Sequence, residues 1–319
     1  MMKLPALAGV AFAVFSASAA SRPLPTAYSS PSWSPDGRQL VFLSARGPAG
    51  EIVVQRPDGT HRKRLARAVV PTEVVWSPAS RRIAYVADGR LRVIGADGNG
   101  AHKIGVGNHP AWSADGRRLA YSAGETGPIL SVDVSGKDRR RLTTGKHDHS
   151  PVWSPDGKQV AFVRAATAGG LDHLYVVRAD GTDLVPLHLA GTLPAWSPDG
   201  RSLAFWLKTQ YGFEAAVAGA DGTAARSLTR TRPAYSSPLR WSSDGHRLTF
   251  SLCPTFGPCH VDVADLRGGS VRTLAVGDEP AWAPDDGRLA FTARRNCRSA
   301  GIFVMGADGS RIRRLTACR

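Results

Sequence analysis

Along most of this chain, apolar and polar positions follow a two-residue alternation that breaks at regular intervals on the same turn. Pro151-Val152-Trp153-Ser154-Pro155-Asp156-Gly157, followed by Lys158-Gln159-Val160-Ala161-Phe162, shows the unit clearly. A short extended run meets Ser-Pro-Asp-Gly, and a second run alternates toward an aromatic. Proline presets φ, aspartate hydrogen-bonds its own backbone and glycine accepts positive φ, so the segment predicts a β-hairpin. Copies are centred on Trp33, Trp76, Trp112, Trp153, Trp196, Trp241 and Trp282, with steps of 43, 36, 41, 43, 45 and 41 residues. Nine residues after each Trp stands an aromatic: Phe42, Tyr85, Tyr121, Phe162, Phe205, Phe250 and Phe291. A second turn, Pro57-Asp58-Gly59, recurs as Asp97-Gly98, Asp180-Gly181, Asp221-Gly222 and Asp308-Gly309. Four strands and two turns at a period near forty residues predict an all-β chain, a seven-bladed β-propeller of four-stranded antiparallel blades. No helix and no linker between blades is expected.

Three units depart from the pattern. The second has Pro78-Ala79-Ser80 in place of Pro-Asp-Gly, the sixth has Arg267-Gly268-Gly269 at its second turn, and the seventh has Asp285-Asp286-Gly287. The fifth carries an extra Trp206 and a loop with Tyr211 and Phe213.

The N-terminus does not share the repeat. Met1-Met2-Lys3, an apolar run from Leu4 to Phe15 and the small residues Ser16 to Ala20 predict a secretory signal peptide over 1–20, too short to span a bilayer. Residues 21–30 read as a short lead-in and 31–319 as the propeller. The chain is therefore expected to be secreted or periplasmic, without a spanning segment. Export makes disulfides expected among Cys253, Cys259, Cys297 and Cys318. Four cysteines allow three pairings; positions in the repeat favour 253 with 259, across a hairpin, and 297 with 318.

Composition changes the picture in one respect. The formal net charge is +15, and it stays basic without Lys3. Such a balance suits an anionic polymer or glycan. The runs His61-Arg62-Lys63-Arg64, Arg139-Arg140-Arg141 and Arg311-Ile312-Arg313-Arg314 fall on expected outermost strands, where charge guards a sheet edge. A nucleic-acid partner is not expected, since its charge would gather on one side.

The unit P-x-W-S-P-D-G, closed by segments such as Arg313-Arg314-Leu315-Thr316, resembles the WD40-like repeats of the TolB propeller over essentially residues 31–319. That resemblance implies a periplasmic protein working through protein–protein contacts. The repeats also resemble the propellers that gate prolyl-oligopeptidase-type peptidases, whose hydrolase domain and G-x-S-x-G segment are not found here.

Function is expected on the face that carries the variable loops. Asn108-His109, His147-Asp148-His149 and Asp278-Glu279 precede the third, fourth and seventh blades. Imidazole and carboxylate could ligate a metal if His109, His149 and Glu279 converged on the channel, but their spacing is no motif, so no metal and no cofactor is assigned. The aromatics Tyr211, Phe213, Tyr235 and Phe256 are the stronger binding candidates. The expected function is thus a monomeric, non-enzymatic scaffold for a protein partner in the cell envelope. The alternative is a small-ligand or carbohydrate-binding propeller, or a hydrolase- or lyase-type enzyme with its site at the channel mouth.

Overall fold

The structure, a computed structural model, describes residues 27–317 apart from 48, 70, 80, 125–126, 167–169, 230–234, 255 and 296–298. The expected leader, most of the lead-in and the Cys297–Cys318 pair lie outside the described residues. Among those described, every regular element is a β-strand, and the ladders between strands are antiparallel.

The first repeat sets the plan: β1 (Ala27–Trp33), β2 (Leu40–Arg46), β3 (Ala49–Gln55) and β4 (Lys63–Val69) pair in chain order. The turn after each Trp forms as its chemistry requires. In the fourth repeat Ser154 Oγ donates to Asp156 Oδ1 at 2.7 Å, and the amides of Lys158 and Gln159 donate to Asp156 and Ser154 at 3.0 and 2.9 Å. Gly157 closes the turn at φ 71°, a left-handed conformation that a side chain would strain. These hydrogen bonds from Ser34, Ser113, Ser154, Ser197 and Ser242 hold the carboxyls of Asp36, Asp115, Asp156, Asp199 and Asp244 below the usual aspartate range.

The aromatics nine residues on from each Trp are all buried, from fully enclosed Phe42 to Tyr85 at 4% exposure. They sit in hydrophobic clusters that each join two successive repeats. Val41, Leu43 and Ile52 pack on Ile83 and Tyr85 of the second repeat. Ala84, Val86 and Leu91 pack on Leu119 and Tyr121 of the third. The last cluster is circular: Tyr28, Trp33 and Phe42 pack on Ala290, Ile302 and Val304. First and last repeats therefore touch, and the circuit closes as in a β-propeller. At about 25 cal/mol per Å² of apolar surface removed from water, such interfaces supply most of the driving force for closure.

First strands neighbour one another around this circuit and form its inner wall. Their tryptophans latch them together. Trp112 Nε1 donates to Val75 O, Trp196 to Val152 O, Trp241 to Ala195 O and Trp282 to Arg240 O, at 3.0–3.3 Å. Every acceptor is the carbonyl just before the preceding repeat's Trp. Trp33 Nε1 completes the cycle by donating to Ala281 O at 3.1 Å. In the two remaining repeats, Trp76 Nε1 and Trp153 Nε1 are buried without a partner.

Two expectations about the connections are corrected. The second and third repeats share one unbroken strand, His102–Trp112, and the fourth and fifth share Val185–Trp196, so no loop separates them. Asn108-His109 and Asp278-Glu279 lie inside strands, as do Asp148 and His149. The reason is a β-bulge in the inner strands, with register shifts at Ser29/Ser32, Asn108/Ala111, His149/Val152, Thr192/Ala195 and Asp278/Ala281. A bulge inserts an unpaired residue and breaks the two-residue period by which a strand is recognised.

The latches differ in a testable way. Trp196→Phe keeps the packing but strands the carbonyl of Val152, whereas Trp153→Phe removes a donor that has no partner. Urea unfolding at unchanged m-value should show Trp196→Phe to be the more costly by about 1–3 kcal/mol. Equal losses would mean that the indole latch contributes nothing.

Candidate functional site

The bulges create the chemistry of the inner wall. The residue three positions before Trp takes a left-handed backbone in five repeats: Ser30 (φ 53°), His109 (55°), Ser150 (51°), Leu193 (53°) and Glu279 (51°). None is glycine, and non-glycine residues held there store strain of about 1–3 kcal/mol each, a feature that clusters at functional sites. Two carboxylates at this position cap their neighbours. Glu279 Oε2 accepts from the amide of Ser30 at 2.8 Å, and Glu73 Oε1 accepts from the amide of His109 at 3.2 Å.

His109 and His149 come together from adjacent repeats, with ring centroids 6.0 Å apart and planes tilted by 43°. His109 Nδ1 is buried and unpartnered. His149 Nδ1 lies 3.1 Å from Ser150 Oγ. Beside them Asp148, fully buried, takes a bidentate ion pair from Arg164 at 2.7 and 2.9 Å, and Arg164 stacks on the Tyr175 ring at 4.8 Å. Burial lowers the His149 imidazole below its ordinary value, the charge of His109 lowers it further, and Asp172 and Asp148 oppose both. His149 is thus a neutral imidazole at neutral pH, able to accept a proton.

Glu279 does not join this pair. Burial raises its carboxyl, Ser30 and Arg240 pull it back, and Asp278 adds to the rise. Arg240 is accessible to solvent yet hemmed by protein, and desolvation lowers its guanidinium. Among the described residues the one acid, thiol and imidazole group compact enough for a metal is Cys253, Cys259 and Asp278. Cys253 and Cys259 are joined as the expected disulfide, so neither offers a thiolate.

The aromatic candidates are scattered differently from the expectation. Tyr211 (57% exposed) tips the hairpin between Ser202–Thr209 and Gly212–Gly219, and Phe256 (91% exposed) rides the loop closed by Cys253–Cys259. Phe213 instead packs between the fifth and sixth repeats, with Lys208 Nζ 4.5 Å from its ring centroid. Tyr235 pairs in register with Cys253.

Two depressions open on this side of the chain, and His109 lines one of them. One, of about 630 Å³, is lined by Glu73, Asp88, Asn108 and His109. The other, of about 760 Å³, lies between the first and second repeats and shares Asp88 with it. It carries Tyr28, Tyr85 and four arginines, and nothing in the linear sequence groups these side chains.

A family model described as the TolB beta propeller domain matches residues 16–192. A peptidase of Bacillus subtilis (strain 168), YuxL, described as uncharacterized, is 29% identical over 41% of this chain and 21% of its own length. The Tol-Pal system protein TolB of Francisella tularensis subsp. mediasiatica is 27% identical over 48% of this chain and 39% of its own. The chain thus spans well under half the length of either relative. Among solved structures, an oligogalacturonate lyase in complex with manganese superposes with TM-score 0.71 at 19% identity, covering 86% of this chain and 87% of that one. A puromycin-hydrolyzing peptidase of Mycobacterium tuberculosis superposes with TM-score 0.70 at 15% identity, covering 92% of this chain and 53% of that one.

These relatives overturn the expected non-enzymatic scaffold. Proteins of this architecture include a lyase and peptidases, so the fold gives no ground for a non-enzymatic scaffold. The expectation failed because the repeat reports strands and turns that binding and catalytic propellers share, whereas chemistry resides in the positions that do not repeat.

The electrostatic account of His149 can be checked directly. An NMR titration of the imidazoles should place its midpoint below the ordinary histidine value of ~6.5. His109→Asn should move it upward without restoring it fully, since burial is the larger cause. A midpoint unchanged by His109→Asn would show that the two rings do not interact.

Proposed function

Because the chain belongs to the TolB β-propeller domain family, we propose that it is an exported propeller enzyme acting on a carbohydrate by abstraction of a carbon-bound proton. In this reading residues 1–20 are a cleaved signal peptide, 21–30 a lead-in, and 31–319 one ring of seven four-stranded blades. Seven Trp hairpins and inter-repeat clusters that run from first repeat to last support that count. No helix among the described residues is long and apolar enough to cross a membrane.

The observation that carries the reading is the neutral, half-buried His149 facing His109 on the inner wall. A lyase must take a proton from the carbon next to a sugar carboxylate. In the tautomer that carries its proton on Nδ1, facing Ser150 Oγ, the Nε2 lone pair of His149 is left to accept that proton. The electron pair forms a carbon–carbon double bond as the neighbouring C–O bond breaks, and the leaving oxygen is protonated from solvent. His109, pinned through its backbone by Glu73, orients substrate and keeps His149 neutral. The manganese of the lyase neighbour has no counterpart in this donor set: among the described residues no third histidine, cysteine or carboxylate joins His109 and His149. No step is therefore routed through a metal.

The test is an assay of the mature chain on oligogalacturonate, scored by the ultraviolet absorbance of the unsaturated product. His149→Gln should lower the rate by about 10²–10⁴-fold, the ordinary contribution of a general base. Turnover surviving in that variant, or hydrolytic products without a double bond, would sink the lyase reading.

A further inference from the structure

The structure assigns a second, non-catalytic site: we propose that the depression between the first and second repeats is an anion subsite that holds the carboxylates of an acidic oligosaccharide. It rests on the lyase reading for its purpose but on separate residues for its existence.

The depression is lined by Arg46, Arg62, Arg67 and Arg92, together with Tyr28 and Tyr85. Two acids also face it, and both are already engaged. Glu51 is paired with Arg64 at 3.2 Å and Asp88 with Arg90 at 2.9 Å, and neither of those arginines lines the cavity. Among the described residues Arg62, Arg67 and Arg92 have no carboxylate partner. Arg62 lies 5.5 Å from the ring centroids of both Tyr28 and Phe42, an aromatic shelf that fixes its guanidinium. Arg92 stands opposite Tyr85 across the ladder, and its charge offsets the rise that burial imposes on the phenol.

Several guanidinium groups around one cavity leave a local excess of positive charge there. A ligand with several anionic groups relieves it, and planar guanidinium forks match carboxylates bidentately. Separated arginines suit spaced single charges better than one compact ion. Tyr28 and Tyr85 are buried side chains behind these guanidinium groups, so the arginines are the part of the lining that meets a ligand. The position also fits. The cavity and the His109 depression share Asp88 in their linings, so an extended chain bound by the arginines has His109 in the neighbouring depression. Of the basic run Arg62-Lys63-Arg64, only Arg62 turns into the cavity, and an edge-guarding role leaves its aromatic shelf unexplained.

Calorimetric titration with three probes tests the site on the mature chain: tetragalacturonate, the neutral cellotetraose and pyrophosphate. Tetragalacturonate should bind, more weakly as salt rises, and far better than the other two. Arg67→Gln and Arg92→Gln should each weaken it about tenfold, the usual consequence of losing a charge-assisted hydrogen bond. Arg226→Gln, an exposed arginine on the fifth repeat with the same charge change, should leave affinity within twofold. His149→Gln should also bind normally, which separates the two readings: normal binding without turnover in the parent refutes the catalytic assignment alone. The subsite is refuted if tetragalacturonate does not bind, if cellotetraose binds equally, if pyrophosphate binds more tightly, or if Arg226→Gln loses as much as Arg67→Gln.

Discussion

The indole N–H of five inner-strand tryptophans, reaching back to the preceding repeat, is the contact on which the ring depends. It joins the first strand of one repeat to the first strand of the one before, at the radius where the sheets crowd most closely. Trp33 to Ala281 is the same bond made across the chain ends, so the seam is closed by the device that joins the interior repeats. Two more contacts reinforce it: Gln55 Nε2 donates to Leu315 O, and Arg313 to the carbonyls of Pro57 and Asp58. Arg288 lies 4.9 Å from the Trp33 ring centroid just as Arg247 lies 4.7 Å from that of Trp282. No special clasp is needed where ordinary contacts repeat.

That latch also explains what the sequence made legible. Trp, the Ser-Pro-Asp-Gly turn and the aromatic nine residues later are each required by a local physical demand, so they recur and can be read. The bulge three residues before Trp is imposed by the tertiary ring, and Ser30, His109, Ser150, Leu193 and Glu279 share no side-chain type that would announce it. Strands that held the candidate histidines therefore read as loops. The arginine cavity was equally hidden, because Arg46, Arg62, Arg67 and Arg92 come from two repeats and meet only after folding. Arg62 itself stood in a run that edge protection explained well enough.

Bulge and latch together divide labour within each inner strand. The Trp end is regular, hydrogen-bonded to its neighbour and tied to a rigid turn. The other end is strained, and its amide is free of the ladder until a side chain caps it, as Glu279 caps Ser30 and Glu73 caps His109. Strain at one end is sustained by regularity at the other. A rigid frame with irregular, side-chain-capped positions at its inner wall is a setting in which imidazoles can be held partly dry without collapsing the fold.

A partly dry imidazole beside an anionic substrate creates a problem that the arginines answer in the proposed reading. Burial and His109 keep His149 neutral, but each substrate carboxylate brought near it favours the imidazolium and so removes the base. Two unit charges 4 Å apart interact by about 4 kcal/mol at an effective dielectric of ~20, enough to shift a titration by several units. A guanidinium placed on each carboxylate cancels most of that field before it reaches the ring. The arginines then need not touch the reacting atoms to matter for catalysis. Their distance from His149 is itself useful, because cations set directly beside the base would depress it so far that it could no longer accept a proton. In the proposed reading, affinity in the arginine cavity and basicity at His149 are in this way two consequences of a single charge arrangement across the first four repeats.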